Sequence, residues 1–191
     1  MGAMTTPRIP PLPREGRDPR TEELLAGLRR PDGSELNIFA TLAHHPKLLK
    51  RWSAFGGTLL YGGRLTDRER ELLIMRTAWH CRAHYEWGQH VAFAHAAGLT
   101  DADIERIAAG PDADGWAAED ALLLRAADEL HVDSCLGDAT WAALAERFDE
   151  PALIEVCMVV GQYHLVAFTL NSLGVQPEPG LPAMPASGAP S

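Results

Sequence analysis

Cysteine is scarce in this chain of 191 residues, and the three that occur are widely spaced, at Cys81, Cys135 and Cys157. No Cys-x-x-Cys pair is present, so the local dithiol on which disulfide-exchanging enzymes rely is missing. Three cysteines are also too few for a disulfide framework. We therefore expect free thiols and a reducing, cytoplasmic compartment.

Positively charged residues are also few. The 17 Lys and Arg residues are outnumbered by 26 Asp and Glu residues, which gives a net charge of −9. No cluster of Lys and Arg could follow a phosphate backbone, so a nucleic-acid partner is not expected. No uninterrupted apolar run approaches the roughly 20 residues that span a bilayer, and the Pro-rich N-terminus lacks the apolar core of a signal peptide. A membrane partner is not expected either.

The alternation of apolar and polar residues that indicates β-strands is missing, whereas start and stop signals of helices recur. Thr66-Asp67-Arg68-Glu69 is a capping box, and Thr100 precedes a second helix that Gly110-Pro111 should end. The pattern predicts an all-α protein with one domain. Its expected parts are an extended arm over 1–20 (with a cloning remnant at 1–4), a helical domain over 21–175 and a Pro/Gly/Ala-rich tail over 176–191.

The last predicted helix, near 151–173, is apolar on nearly all sides and should lie in the core or in a contact between subunits. The other helices are expected to begin near Thr21, to cover 37–44 and 46–60, to begin after Thr66, to end at Gly98, and to cover 100–110, 117–131 and 139–148.

Most of the plausible chemistry lies in residues 79–90, which hold three His, one Cys and one Glu. Residues four apart share a helix face, so Glu86 can meet His90 and His80 can meet His84. A carboxylate beside an imidazole is an acid–base pair in which the carboxylate fixes the tautomer of the ring. We predict such a pair at Glu86 and His90. The alternative is a buried pair that only ties helices together.

A series of short motifs runs through most of the chain, over roughly 36–178. In order they are Leu65–Leu72, Tyr85-Glu86-Trp87 with His90, Ala97–Thr100, Ala127–Leu130, Gly161–His164 and Leu170–Val175. Together they resemble the carboxymuconolactone decarboxylase family, whose superfamily includes the alkylhydroperoxidase D-like (AhpD-like) proteins. The resemblance implies an all-α, AhpD-like subunit that assembles into a homotrimer or hexamer, with active sites near the contacts between subunits.

The resemblance also implies site residues. In the peroxidase branch, Cys-x-x-Cys-x-x-x-His stands at the start of a helix and a Glu lies on the preceding helix. With His90 aligned, the two cysteine positions fall on Ala83 and Glu86, and the upstream Glu falls on Glu71. The resemblance therefore assigns the proton relay to Glu71 and His90. The decarboxylase branch, with Tyr-Glu-Trp-x-x-His, matches directly at residues 85–90.

The function expected from these patterns is cofactor-free acid–base chemistry, as in a decarboxylase, on a small lactone acid or a related oxygenated compound. His90 would be the general acid or base and Glu86 its orienting group, or Glu86 the base beside a polarising His90. Arg76 or Arg82 would hold a substrate carboxylate by a two-pronged contact. The remaining candidates are Glu71 and Cys81 for catalysis and Tyr85, Trp87 and His84 for substrate binding.

Other functions stay open. An oxidoreductase of the peroxidase kind would use Cys81, whose neighbour at helical spacing is His84. A metal-dependent oxygenase would draw its ligands from His80, His84, His90, Glu86 and His164. A non-catalytic oligomer would keep only the fold. Because no known ligand spacing such as His-Glu-x-x-His occurs, we expect no metal and no cofactor. His131 is expected to be an ordinary surface or capping residue.

Overall fold

Nine helices and no strand occupy residues 6–185, the part of the chain that the computed structural model describes. The helices are α1 (Pro19–Ala26), α2 (Asn37–Leu42), α3 (Pro46–Tyr61), α4 (Asp67–His80), α5 (His84–Ala96), α6 (Asp101–Ala109), α7 (Ala118–Asp133), α8 (Asp138–Arg147) and α9 (Glu150–Leu173). The all-α prediction is confirmed. The cloning remnant expected at 1–4 and the last residues of the tail, 186–191, lie outside the described part.

Local side-chain caps set several helix boundaries within one to three residues of the predicted ones. At the start of α4, the Glu69 backbone N–H donates to Thr66 Oγ1 (3.3 Å) while the Thr66 N–H donates to Glu69 Oε2 (2.8 Å). The same reciprocal cap joins Thr100 and Asp103 at the start of α6. Each cap satisfies two backbone donors that the first helical turn leaves without intrahelical partners.

Helix α4 lies at the centre of the subunit and packs against α5, α6, α7 and α9. All of its residues from Glu69 to Trp79 are buried, although charged side chains alternate with Leu, Ile and Met in this stretch. A buried charge is costly unless it is paired. Arg70 pairs with Asp67 and Glu71 on α4 itself, whereas Glu71 and Arg76 also have partners on neighbouring helices. Those partners determine the polar geometry of the interior.

The helix is interrupted between α4 and α5, which corrects the expectation that His80 meets His84 on one helix face. α4 ends at His80, Cys81 follows as its C-cap, and Arg82 adopts the left-handed conformation with φ of 50° before α5 begins at His84. His80 and His84 therefore do not share a helix face. The spacing of the two histidines predicted a continuous helix, because no Gly or Pro in the sequence indicates the interruption.

Helix α9 has one buried face and one exposed apolar face. Val156, Val160 and Ala167 lie in the core, whereas a row of large apolar side chains on the other face is exposed, namely Ile154, Met158, Leu165 and Phe168. By length and composition alone α9 could cross a membrane, but half of its most apolar stretch is buried inside the subunit, as in the core helix of a soluble fold.

Both chain ends pack on the helical domain where they are described. The backbone N–H groups of Arg8 and Ile9 lie 2.8 and 3.3 Å from the Leu173 carbonyl oxygen. In the tail, the Glu178 carboxylate accepts from the Asn37 N–H (2.7 Å) and from the Tyr85 hydroxyl (2.9 Å). The first part of the tail therefore belongs to the packed subunit.

Candidate functional site

A buried carboxylate–imidazole pair joins α4 to α5. His90 Nδ1 and Glu71 Oε2 are 2.8 Å apart; Glu71 is completely buried and His90 is 8% exposed. Arg70 Nε lies 3.4 Å from the other oxygen, Oε1. Because a carboxylate oxygen accepts this hydrogen bond, Nδ1 is the donor, and Nε2 is the ring nitrogen left to exchange a proton. The pair therefore offers one oriented nitrogen for proton transfer.

The expected Glu86–His90 hydrogen bond is not formed, although Glu86 lies one turn before His90 on α5. Glu86 is buried, and neither of its carboxylate oxygens has a hydrogen-bond partner within the described residues. Helical spacing puts the two residues on one face but does not decide which group reaches the ring. Glu71, projecting from α4, is the carboxylate that bonds to Nδ1 of His90.

Burial gives Glu86 a different chemical state from an exposed glutamate. Its pKa is raised well above 4.5, first because burial disfavours the charged form and second because the negative charge of Glu71 is close. Burial therefore favours the protonated form of Glu86, which can donate a proton. Two carboxyl groups in different environments thus lie near one histidine, which is a pattern of acid–base sites.

Aromatic rings enclose His90. Tyr163 from α9 meets the imidazole edge-on with a centroid separation of 5.0 Å, and Phe93 lies 5.3 Å away on α5. The pKa of the Tyr163 hydroxyl is raised by burial and then by the charges of Glu71 and Glu86, so it stays protonated. The sequence did not predict this contact, because no local pattern relates α9 to α5.

Two of the expected substrate contacts have packing roles instead. The Tyr85 hydroxyl donates to Glu178 Oε1 (2.9 Å) and accepts from the Ile38 N–H (3.2 Å), so it faces α2 and the tail. Trp87 is fully buried and packs on Trp79 with ring centroids 5.8 Å apart. Both side chains are satisfied inside the subunit.

The expected carboxylate-binding role of Arg76 is also corrected. Its Nε and Nη2 lie 2.5 and 3.0 Å from the two oxygens of Asp128, and its Nη1 donates to the carbonyls of Ile107 (2.8 Å) and Ala108 (3.2 Å). These contacts occupy the donors of a buried guanidinium, so Arg76 holds α4 to α6 and α7. Arg82 and His84 lie exposed at the break before α5, and their substrate role stays a prediction.

Solved structures with the same arrangement of helices are AhpD-like. One is a peroxidase-related protein from Ralstonia eutropha JMP134, described as an alkylhydroperoxidase AhpD core. It matches with a TM-score of 0.76 and 20% identity, over 90% of this chain and 93% of that one. Another is a peroxidase-related protein from Silicibacter sp. TM1040, with a TM-score of 0.79 and 16% identity over 94% of this chain and 97% of that one. A debrominase, Bmp8, in complex with 2,3,4-tribromopyrrole matches with a TM-score of 0.71 and 16% identity over 93% and 95% of the two chains. At these identities the likeness shows the fold.

The sequence supplies a family match of its own. Residues 46–129 match the family model of the carboxymuconolactone decarboxylase family. The resemblance to this family that the motifs indicated is therefore confirmed over that segment. The matched segment contains Glu71, Glu86 and His90. No curated protein matches the sequence significantly.

A second polar cluster of this carboxymuconolactone decarboxylase-like protein joins Cys81, His131 and His164, whose ligand atoms all lie within 4.8 Å of one another. Of the ligand set expected from the sequence, only His164 belongs to this group. His80, His84, His90 and Glu86 do not gather into one group, since α4 and α5 separate at residues 81–83. His131, expected to be an ordinary surface or capping residue, is half-buried here.

The chemistry of Cys81 follows from its surroundings. Its pKa is raised to about 12, first by burial and second by the nearby charge of Glu86. Cys81, Cys135 and Cys157 are all free thiols. A protonated thiol without a partner thiol is a poor nucleophile for disulfide chemistry.

Two cavities among the described residues of this carboxymuconolactone decarboxylase-like subunit lie away from the Glu71–His90 pair. One, of about 260 Å³, is apolar and lies between α2, α3 and α9, with Leu49, Trp52 and Val166 in its wall. The other, about 400 Å³, is an open depression beside Arg76 and Asp128. Neither is lined by Glu71, Glu86 or His90.

Proposed function

We propose that this protein is a cofactor-free acid–base enzyme of the decarboxylase-like branch, acting in the cytoplasm on a small lactone acid or a related oxygenated compound. The observation that carries the proposal is the buried hydrogen bond between Glu71 and His90 (2.8 Å). A buried carboxylate that fixes one nitrogen of an imidazole leaves the other nitrogen oriented for proton transfer. Glu86, whose pKa is raised by burial, is the proposed proton donor.

The chemistry of decarboxylation matches this set of groups. When the bond to the carboxylate carbon breaks, CO₂ leaves and the electron pair is delocalised onto the conjugated lactone carbonyl. A proton must then be delivered to the carbon skeleton. This step takes up a single proton, and Glu86 is its proposed donor. His90, which Glu71 orients, is the proposed base of the site through its Nε2. Arg82 remains the proposed cation for the substrate carboxylate, since Arg76 is committed to Asp128.

The competing chemistries are less well supported by the described residues. Thiol peroxidase chemistry requires a thiolate and a resolving thiol, but Ala83 and Glu86 stand at the two redox positions and Cys81 is held protonated. An oxygenase built on His80, His84, His90 and Glu86 would require these ligands to converge, which they do not. The peroxidase-related and debrominase structures share the fold, and fold alone does not assign a reaction.

The direct test is CO₂ release from carboxymuconolactone, the compound that the family is named for. The wild-type protein should release CO₂, and His90→Asn should lower turnover by about 10²–10⁴-fold, the usual contribution of a positioned proton-transfer group. His95→Asn is the matched control, because His95 lies on the same helix but is half exposed and pairs with Asp101. A wild-type protein without activity, or a His90→Asn variant with full activity, would overturn the proposal.

A further inference from the structure

Three potential metal ligands meet where three helices come together. Cys81 is the C-cap of α4, His131 lies in the last turn of α7 and His164 lies in the middle of α9. Their ligand atoms all lie within 4.8 Å of one another, and His131 Nδ1 is 2.9 Å from His164 Nε2. None of the three belongs to the Glu71–His90 pair, so this cluster is a separate site.

The backbone fixes which nitrogen of His164 faces the cluster. His164 Nδ1 lies 2.8 Å from the Val160 carbonyl oxygen, which can only accept a hydrogen bond. Nδ1 therefore carries the hydrogen, and Nε2 presents its lone pair towards His131. Metal-binding histidines are held in this way, with the second ring nitrogen donating to a carbonyl or a carboxylate.

A second layer of groups supports the cluster. The ring of His80 stacks on that of His131, with centroids 4.4 Å apart and planes 14° from parallel. His80 Nε2 is 2.6 Å from Asp128 Oδ1, and Asp128 is in turn held by Arg76. His80 Nδ1, by contrast, is buried and has no hydrogen-bond partner within residues 6–185. A buried ring nitrogen without a partner indicates a group that the protein atoms alone do not supply, such as a water molecule or an ion.

We propose that Cys81, His131 and His164 bind one Zn²⁺ ion. A thiolate and two neutral imidazoles are ligands that Zn²⁺ prefers, and three protein ligands leave the fourth tetrahedral position open for water or a small ligand. Ordinary Zn–N and Zn–S bond lengths place tetrahedral ligand atoms about 3.4–3.6 Å apart. The two imidazole nitrogens, 2.9 Å apart, would separate by only about half an ångström. All three residues are half-buried, so water can reach the open position.

Direct spectroscopy on the full-length wild-type protein tests the ligand set without relying on activity. After chelator treatment, the protein should bind one Zn²⁺ per chain, and X-ray absorption should show one sulfur at about 2.3 Å and two imidazole nitrogens at about 2.0–2.1 Å. Added Co²⁺ should give a thiolate-to-cobalt charge-transfer band. Failure to bind Zn²⁺ at equal stoichiometry, or a zinc shell without sulfur, would overturn the proposal. Selective binding of copper alone would overturn the assignment to zinc.

Variants then locate the site. Cys81→Ser and His131→Ala should each weaken Zn²⁺ binding by at least about 100-fold, because each removes one of only three protein ligands. Cys157→Ser, on α9 but outside the cluster, and His95→Ala, on the exposed face of α5, are matched controls and should bind as the wild type does. Equal loss in the controls, or unchanged binding in both cluster variants, would disprove the site. If a cluster variant does not fold, the wild-type absorption spectrum still decides.

Discussion

Glu71 and His90 are nineteen residues apart in the sequence, yet their side chains meet in a 2.8 Å hydrogen bond that joins α4 to α5. The carboxylate lies on the central helix, where no solvent reaches it, and the ring lies under Tyr163. A hydrogen bond of this kind orients the imidazole, so we propose that the two residues act together.

If Glu71 acts through His90, their substitutions should not add. Glu71→Gln should lower turnover by about 10²-fold or more, and the Glu71→Gln/His90→Asn double variant should be no slower than His90→Asn alone. The physical reason is that Glu71 acts only by orienting the imidazole of His90, so removing Glu71 has no further effect in a variant that lacks that imidazole. Turnover of all three variants and the wild type is measured together, with Glu105→Gln on the exposed face of α6 as the control. Multiplied losses in the double variant would contradict the shared role.

Glu86 should make stability depend on pH in a defined direction. Its pKa in the folded protein is raised well above 4.5, so its contribution to stability is complete below the pKa of the unfolded chain and is lost as pH rises through the folded pKa. Glu86→Gln cannot ionise. The melting temperature of this variant, relative to the wild type, should therefore increase from about pH 5 to about pH 8. The exposed Glu105→Gln control should show a melting-temperature difference from the wild type that does not change with pH. The same result for Glu86→Gln would be evidence against a buried acid with a raised pKa.

Cys81 should react slowly in the metal-free protein. With its pKa raised to about 12, its thiolate is rare at neutral pH, so iodoacetamide should label it about 10–100-fold more slowly than exposed Cys135. Mass spectrometry of the two peptides gives both rates in one sample. For the same reason, the protein should not reduce hydroperoxide through a reversible disulfide. Thiol-dependent peroxidase activity that disappears in Cys81→Ala would show that this interpretation is wrong.

The exposed apolar row on α9 leads us to propose a homotrimer or hexamer. Ile154 and Phe168 are 63% and 60% exposed, and large contiguous apolar surfaces are usually covered by another chain. Light scattering at micromolar concentration should give the mass of a trimer or hexamer. Phe168→Asp should reduce that mass, whereas Val132→Asp, at an exposed position on α7, should not. A monomeric wild-type protein would contradict the proposal.

The sequence predicted the helices well because their signals are local. Thr66 and Thr100 lie next to the backbone donors that they cap, and Pro46 and Gly174 act on the conformation of their own residues. The break at Arg82 escaped prediction because a non-glycine residue adopts a left-handed conformation there, and the surrounding packing rather than its own preference holds it.

The site was predicted in part. The family alignment placed Glu71 and His90 at proton-relay positions, whereas spacing within α5 favoured Glu86 as the partner of His90. Spacing along one helix shows which residues share a face, but it does not show which side chain from a neighbouring helix contacts that face. The structure brings Glu71 to the ring and leaves Glu86 buried without a hydrogen bond.

By itself, the sequence determined the all-α class, most helix boundaries and the segment in which an acid–base site should lie, because caps, turns and apolar periodicity depend on residues close together in the chain. Only the tertiary structure decided which polar groups meet. Glu71 reaches His90 from another helix, and Cys81, His131 and His164 come from the end of α4, from α7 and from α9. Contacts between distant parts of the chain depend on how the helices pack, and no local pattern records that packing.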